Sequence, residues 1–235
     1  MLTTRETVEQ IRFGGEPVLC LDTCAVLDVV RDPTRKKFGG AQVRAAMELL
    51  SWVESAPRGL SLVTSATVGM EIDAHLKDVE EESFRILKAL DERTLRAASI
   101  FEAIGVSISG VPKLAELGFP VRARKVVERF VRAAHLVEDE SVSKARAMDR
   151  VSRGVAPATL AKQSAKDCLI VETYLYLARE LRAAGFGEKI VFLTTNTRDF
   201  TADQRSSRLH GDLVGDFEST GMIFATSFLS ARYAF

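Results

Sequence analysis

The sequence predicts an α/β domain in which helices cover both faces of a mainly parallel central sheet. Short apolar runs alternate with segments whose apolar residues recur at helical spacing, and this alternation favours parallel strands joined by crossover helices. The 235 residues, 46% of them hydrophobic, can bury one sizeable core. We therefore expect a single domain over residues 1–235, built as three α/β/α layers.

The first strand delivers an acidic residue to one edge of the predicted sheet. An amino-terminal helix is expected over residues 3–13, and the paired glycines after it favour its end there. The strand is predicted at 18–21, an apolar run of the kind buried on both faces of a parallel sheet. The apolar segment that follows has helical potential, with Thr23 available as its cap. Asp22 ends the strand, where open α/β sheets gather functional groups.

The next elements place a second acid in an equivalent position. Residues 31–40 contain a proline, a basic run and two adjacent glycines, which indicate a mobile loop. A helix is expected from 42 to 54, and a second strand from 60 to 64. The helix after this strand has a hydroxyl residue available as its cap and carries Glu71 in its first turns. Glu71 therefore follows the second strand much as Asp22 follows the first.

A long middle segment is predicted to be an addition to the basic α/β domain. From about 77 to 160 the apolar residues keep helical spacing throughout, and alternating strand patterns are absent from the sequence there. We interpret this stretch as a helical insertion within the single domain. The next strong helix is expected over 164–184 and carries Asp167 near its start.

Two further strands complete the predicted sheet. The third is predicted at 189–194 and leads into a polar loop that contains Asn196 and Asp199. A short last strand is predicted at 222–225, after a polar, loop-rich segment. The polar loop would bring a fourth acid to the edge already occupied by the others.

Charge and cysteine content argue against several classes of protein. Lys plus Arg and Asp plus Glu both number 32, so no global basic field indicates nucleic acid. The three cysteines, Cys20, Cys24 and Cys168, lie in or beside apolar runs and lack C-x-x-C spacing, as expected of reduced, buried thiols. No apolar stretch approaches the roughly 18 residues of a membrane span. We expect a cytoplasmic protein with no membrane association.

Four acids, Asp22, Glu71, Asp167 and Asp199, thus stand where the topology would bring them together. Clustered carboxylates repel one another and become partly protonated unless a cation neutralises them. Oxygen ligands suit a hard divalent ion such as Mg²⁺ or Mn²⁺. Such ions activate water and stabilise the charge that builds on a phosphate, which is the chemistry of phosphodiester hydrolysis.

Four motifs in this order resemble the PIN-domain family of metal-dependent nucleases. They are Leu-Asp-Thr-Cys-Ala-Val-Leu at 21–27, Ser65 through Glu71, Lys-Asp-Cys-Leu-Ile-Val at 166–171, and Thr-Thr-Asn-Thr-Arg-Asp-Phe at 194–200. The chain is most similar to larger, uncharacterised PIN-like proteins with a long helical insertion. The resemblance covers the amino-terminal third and residues 164–200, and it implies a PIN-like three-layer fold.

The resemblance also implies roles for individual residues. Asp22, Glu71 and Asp167 would be metal ligands for Mg²⁺ or Mn²⁺, and Asp199 would be the fourth acid of the same catalytic set. For substrate binding we select three polar residues beside these acids: Asn196, Thr23 and Lys166. Cys24 departs from the family pattern, because many relatives have asparagine there.

Each acid also has an ordinary structural interpretation. Asp22 could be a helix-capping residue, and Asp167 could simply favour the dipole of its helix. Glu71 could be a solvated helix residue. Asp199 and Asn196 could form a turn by binding backbone amides.

A basic segment in the neutral chain allows two interpretations. Between residues 120 and 166 there are eleven Lys and Arg against five Asp and Glu, an excess of six positive charges. Such a segment could hold a nucleic-acid backbone near the acids, since Lys and Arg contacts to phosphate supply affinity. It could equally be the solvated face of ordinary helices.

The leading functional hypothesis is a Mg²⁺- or Mn²⁺-dependent endoribonuclease. One alternative is a catalytically degenerate PIN-like scaffold that binds RNA or a protein partner. Another keeps the chemistry but acts on structured DNA, because a site that reads phosphates does not by itself detect a 2′-hydroxyl. RNA is the expected partner, while an antitoxin or other protein partner and a homo-oligomer stay open.

Overall fold

The computed structural model describes residues 1–36, 38–55, 57, 59–108, 110–159, 161, 164–203 and 206–235. Its helices are α1 (Thr4–Gly14), α2 (Thr23–Asp28), α3 (Gly40–Glu54), α4 (Ala66–Ala103), α5 (Phe119–Ala133), α6 (Ser141–Arg153), α7 (Ala165–Ala183), α8 (Thr197–Phe200), α9 (Gly211–Thr220) and α10 (Phe228–Ala234). Its strands are β1 (Val18–Leu21), β2 (Ser61–Ser65), β3 (His135–Val137), β4 (Ile190–Leu193) and β5 (Met222–Ala225).

The five strands form one parallel sheet in the order β3-β2-β1-β4-β5. Helices α3, α5 and α10 pack together in one layer, and α7 contacts α1, α6 and α9 in the other. The residues of β1 and β4 are completely buried, as strands covered on both faces must be. The predicted three-layer α/β/α fold with a parallel sheet is confirmed.

The prediction of an all-helical stretch from 77 to 160 is wrong at one place. Strand β3 lies inside this stretch and pairs with β2, with His135 opposite Val63. It has three residues, two of them half-buried, so it is too short to show the alternation by which a strand is recognised. The stretch also has no boundary at 77, because α4 runs through it without interruption. Leu160, at the predicted end of the insertion, lies outside the described residues.

The chain holds no candidate for a membrane-spanning helix in its described part: none of the helices there is both long and apolar enough to cross a bilayer. The longest helix, α4, carries charged residues along its whole length.

Strands β1 and β2 stop pairing at their carboxyl ends. Their ladder includes a hydrogen bond from the Ser61 N–H to the Pro17 carbonyl at 2.8 Å. Because bonding in a parallel ladder repeats every two residues, two repeats further on the Leu21 carbonyl would accept from the Ser65 N–H. That bond is replaced by a side chain from another element.

The Tyr174 hydroxyl of α7 lies between these two backbone groups. It accepts a hydrogen bond from the Ser65 N–H at 3.0 Å and donates one to the Leu21 carbonyl at 2.5 Å. The ring is completely buried, and burial raises the pKa of the phenol well above its ordinary value, so the hydroxyl keeps its proton. This double contact holds α7 against the ends of both strands, which positions the residues at the start of α7.

Replacing Tyr174 with phenylalanine is expected to destabilise the protein by about 1–3 kcal/mol, because the Leu21 carbonyl and the Ser65 N–H lose their buried partner. Urea denaturation followed by circular dichroism measures this loss. Tyr233→Phe is the matched control, since that side chain is 74% exposed. Equal stability of the two variants would contradict the bridging role.

Candidate metal centre

Asp22 lies at the centre of the carboxyl edge of the sheet. Its N–H donates to the Leu193 carbonyl at 3.0 Å, which extends the β1–β4 ladder by one residue. The same register places Thr194 beside it, and the Thr194 hydroxyl donates to Asp22 Oδ2 at 2.6 Å. Asp22 occupies the N-cap position of α2, but its side chain makes no capping hydrogen bond. The structure therefore does not support the helix-capping interpretation of this carboxylate.

The surroundings of Asp22 disfavour the ionised form of its carboxyl group. The residue is 2% exposed. Burial raises the pKa of its carboxyl from 3.8 to about 7; the Thr194 hydrogen bond opposes this rise, and the nearby charges of Asp167 and Glu71 add to it. Both predicted partners are thus close enough for their charges to act on Asp22. A cation among these carboxylates would favour the ionised form.

Glu71 binds two residues that the sequence assigned to substrate binding. Helix α4 begins with the Ser65 hydroxyl accepting from the Val68 N–H at 3.2 Å, and Glu71 follows in its second turn. Glu71 Oε2 accepts from the Thr23 hydroxyl at 2.7 Å, and Oε1 lies 3.1 Å from Lys166 Nζ. Substrate contacts by Thr23 and Lys166 stay predictions.

The suggestion that Thr23 caps α2 is wrong. The N-cap position belongs to Asp22, and Thr23 is the first helical residue. Its hydroxyl is used by Glu71, on a different helix, instead of by the backbone of α2. The preference of threonine for helix starts placed the residue within one position of the cap, and its hydroxyl donates to Glu71, 48 positions further along the chain.

Asp167 and Asp199 approach the edge from the other two predicted segments. Asp167 lies in the first turn of α7 and is half-buried. Asp199 lies in α8, where its Oδ2 accepts from Asn196 Nδ2 at 2.9 Å. The Asn196 N–H in turn donates to the Thr194 hydroxyl at 3.0 Å. Hydrogen bonds therefore connect Asp199 to Asp22 through the loop after β4.

The donor chemistry of this edge fits a hard divalent cation, because the ligating atoms on offer are carboxylate oxygens. In the part of the chain that the structure describes, however, no three His, Cys, Asp or Glu side chains converge closely enough to hold an ion as they stand. Glu71 is turned to Lys166, and Asp22 is bound by Thr194. Binding an ion thus requires local movement of side chains that are already near one another.

Thr194 is a positioning residue that sequence reasoning missed. The sequence places it at the end of the third predicted strand, and nothing in its local pattern distinguishes it from an ordinary strand residue. Its role depends on the register between β1 and β4, which pairs residues 172 positions apart. One signal could have found it. Strand β1 lies in the middle of the sheet, so the residue that follows it, Asp22, must have a neighbour from the strand on either side.

In the described part of the chain, half of the cations in the basic segment from 120 to 166 pair with acidic side chains. Five of its eleven cations bind acidic side chains: Arg124, Arg129, Arg150, Arg153 and Lys166. The most buried of these pairs joins Arg150 Nε to Glu172 Oε1 at 2.5 Å. These contacts favour the structural interpretation for the four arginines, while a substrate contact by Lys166 stays a prediction. Lys162 lies outside the described residues.

A family model for the PIN domain matches residues 19–200. The chain belongs to the PIN-domain family. The match includes all four predicted acids and also the helical middle of the chain, which the sequence resemblance had left uncovered. No curated protein and no solved structure matches the chain. PIN domains are generally nucleases and typically use divalent metals, so membership indicates a nuclease-type fold.

Replacing Asp22 with asparagine is expected to stabilise the metal-free protein at pH 8 by several degrees in thermal unfolding. With its pKa raised from 3.8 to about 7, the carboxyl binds its proton more tightly in the folded state. The free energy of unfolding therefore falls as pH rises through this interval, and asparagine removes that loss. The gain should shrink towards pH 4.

The same melting experiment tests the ion. Mn²⁺ is expected to raise the melting temperature of the wild type and of the exposed control Asp73→Asn, and to leave Asp22→Asn unchanged. A stabilisation of Asp22→Asn by Mn²⁺ equal to that of the wild type would remove Asp22 from the candidate metal centre.

Replacing Lys166 with methionine is expected to lower the dissociation constant for Mn²⁺ about two- to fivefold, since the ammonium no longer competes for Glu71. The modest factor reflects the exposure of the lysine side chain, which is 67%. Titration calorimetry measures the affinity, with the exposed Lys125→Met on α5 as control. Unchanged or weaker binding would show that the Lys166–Glu71 pair does not oppose the ion.

Proposed function

We propose that this protein is a Mg²⁺- or Mn²⁺-dependent nuclease that hydrolyses phosphodiester bonds in RNA as an endoribonuclease. The observation that carries the proposal is the buried Asp22 carboxylate, close to Glu71 and Asp167 at the carboxyl edge of a PIN domain. A fully buried carboxylate surrounded by like charge is costly unless a cation uses it. An ordinary structural acid gains nothing from that arrangement.

The residues at the carboxyl edge of the sheet have different roles in this proposal. Asp22, Glu71 and Asp167 would hold the ion directly, and Asp199 would do so directly or through water. Thr194 keeps the Asp22 carboxylate in one orientation by donating to Oδ2. A bound divalent cation supplies an activated water and offsets charge on the phosphate during displacement.

Lys166 has two successive partners in this proposal. In the structure its ammonium lies 3.1 Å from Glu71 and neutralises that acid. If Glu71 held an ion instead, the Lys166 ammonium would be free to bind a non-bridging phosphate oxygen at the same edge. Exchange of one anionic partner for another keeps the net charge of the edge balanced as the substrate arrives.

A second candidate is a PIN-like scaffold that binds RNA or a protein without cleaving. One observation favours it: the described acids do not converge closely enough to hold an ion as they stand. The family resemblance adds that Cys24 stands where many PIN domains have asparagine. The two candidates differ in whether Mn²⁺ binds in an acid-dependent way. A structure-specific DNA nuclease is the third outcome that a substrate panel can identify.

Cleavage of labelled single-stranded RNA, structured RNA and single-stranded DNA with Mn²⁺ tests the proposal. The wild type and the exposed control Asp73→Asn are expected to cleave RNA, and Asp167→Asn should fall to the background measured with EDTA. Retained cleavage by Asp167→Asn would overturn the carboxylate mechanism. A folded protein that retards RNA in a gel and cuts nothing would establish the scaffold instead.

A further inference from the structure

A cleft of about 560 Å³ opens at the carboxyl edge of the sheet, and Cys24 and Asn196 are among its lining residues. Its walls come from α2 and the loop after it, from residues 195–197 after β4, and from residues 226–227 after β5. The strand order places this cleft where the chain, having passed from β1 to β2 and β3, returns on the other side at β4. Open α/β sheets bind ligands at such a switch point.

The cleft is continuous with the candidate metal centre. Cys24 in its wall follows Asp22 by two residues on α2. Asn196, in the opposite wall, donates through its N–H to the Thr194 hydroxyl, which binds Asp22. The cleft wall is therefore joined by hydrogen bonds to Asp22, which does not itself line the cleft.

In one wall of the cleft, Arg35 makes several hydrogen bonds to its own loop and to α2. Its Nη1 donates to Asp28 Oδ1 at 2.9 Å, its Nη2 to the Asp28 carbonyl at 3.0 Å, and its Nε to the Asp32 carbonyl at 3.1 Å. The guanidinium also lies 5.6 Å from the centre of the Phe38 ring. Arg35 is thus committed to folding the loop after α2, so this wall is in place before any ligand binds.

Arg31 lies on the same wall and makes fewer hydrogen bonds than Arg35 within the described part of the protein. Its side-chain hydrogen bond within the described part of the protein is a 3.4 Å contact with Asp28, whose Oδ1 already accepts from Arg35. The side chain is 39% exposed, and a guanidinium carries five N–H donors. With two guanidinium groups against one carboxylate, this wall is positive and can bind an anion.

The facing walls supply hydroxyl groups in place of charge. Thr195, Thr197 and Thr226 line the cleft together with serines from the segments around 206 and 227. Hydroxyls both donate and accept hydrogen bonds, and so does the 2′-hydroxyl by which RNA differs from DNA. A volume of about 560 Å³ is in the range of sites for one small molecule.

We propose that this cleft binds one unpaired nucleotide of an RNA strand, next to the bond that is cut. Arg31 binds the phosphate of that nucleotide, and the threonine hydroxyls of the facing wall bind its ribose. The statement that the nucleotide lies next to the bond that is cut rests on the proposed nuclease function of the neighbouring acids. The chemistry of the cleft itself, an arginine facing a hydroxyl wall, does not depend on cleavage.

Binding of a fluorescein-labelled single-stranded RNA octamer, followed by anisotropy in EDTA, tests the phosphate contact without any cleavage. Arg31→Gln is expected to weaken binding about tenfold, and Arg31→Lys should recover part of the loss. The control is Arg12→Gln, an exposed residue in the last turn of α1, which ends where β1 begins, at the opposite edge of the sheet. Equal affinities of Arg31→Gln and Arg12→Gln would overturn the proposal.

The sugar contact is tested with DNA of the same base sequence. The wild type is expected to bind RNA at least threefold more tightly, and Thr195→Val should weaken RNA binding while leaving DNA binding unchanged. Equal affinity of the wild type for both strands would overturn the ribose contact. Unchanged thermal unfolding of both variants shows that the loops kept their shape.

The cleavage and binding experiments can contradict the nuclease function and the cleft assignment independently. If the wild type cleaves RNA and Asp167→Asn does not, while Arg31→Gln binds as the control does, the nuclease function stands and the cleft assignment falls. If the wild type cuts nothing but binding depends on Arg31, the nuclease function falls and the cleft remains an RNA site.

Discussion

The candidate site depends on the Tyr174 hydroxyl at the point where β1 and β2 separate. One phenolic group replaces a backbone hydrogen bond and keeps both of its former partners satisfied. This joins three elements in one buried contact: the strand that ends in Asp22, the strand that leads to Glu71, and the helix that begins near Asp167. A small displacement of α7 would change all three carboxylate positions together, because the interior is close-packed and transmits strain.

The edge also shows a conflict between stability and chemistry. Asp22 is buried deeply enough that its charge opposes folding, and hydrogen bonds from the Thr194 hydroxyl and the Thr23 backbone offset only part of that cost. Glu71 avoids the same cost by binding Thr23 and Lys166. The two acids thus differ in their partners: Asp22 has hydrogen bonds alone, whereas Glu71 also has a cation beside it. Polar groups held at such a cost are typical of sites where a ligand supplies the missing interaction.

Much of the fold could be predicted because strands and helices leave strong local patterns. The last strand was predicted with the bounds observed, and β1, β2 and β4 agree to within about a residue at each end. Strand β3 was missed because three residues at a sheet edge, two of them half-buried, carry almost no periodic signal. The placement of Asp22 and Glu71 at one edge followed from topology, but their actual partners, Thr194 and Lys166, depend on register and on the facing of helices.

The hydrogen bond between Thr194 and Asp22 also has a consequence for biosynthesis. It joins residues 172 positions apart, and β1 lies between β2 and β4 in the sheet. A ribosome must therefore release the chain beyond β4 before the neighbour of β1 on that side exists. Until then Asp22 is exposed to water and unoriented, and the loops that form the cleft have not met. An emerging chain of this protein accordingly has no complete candidate metal centre until β4 has been made.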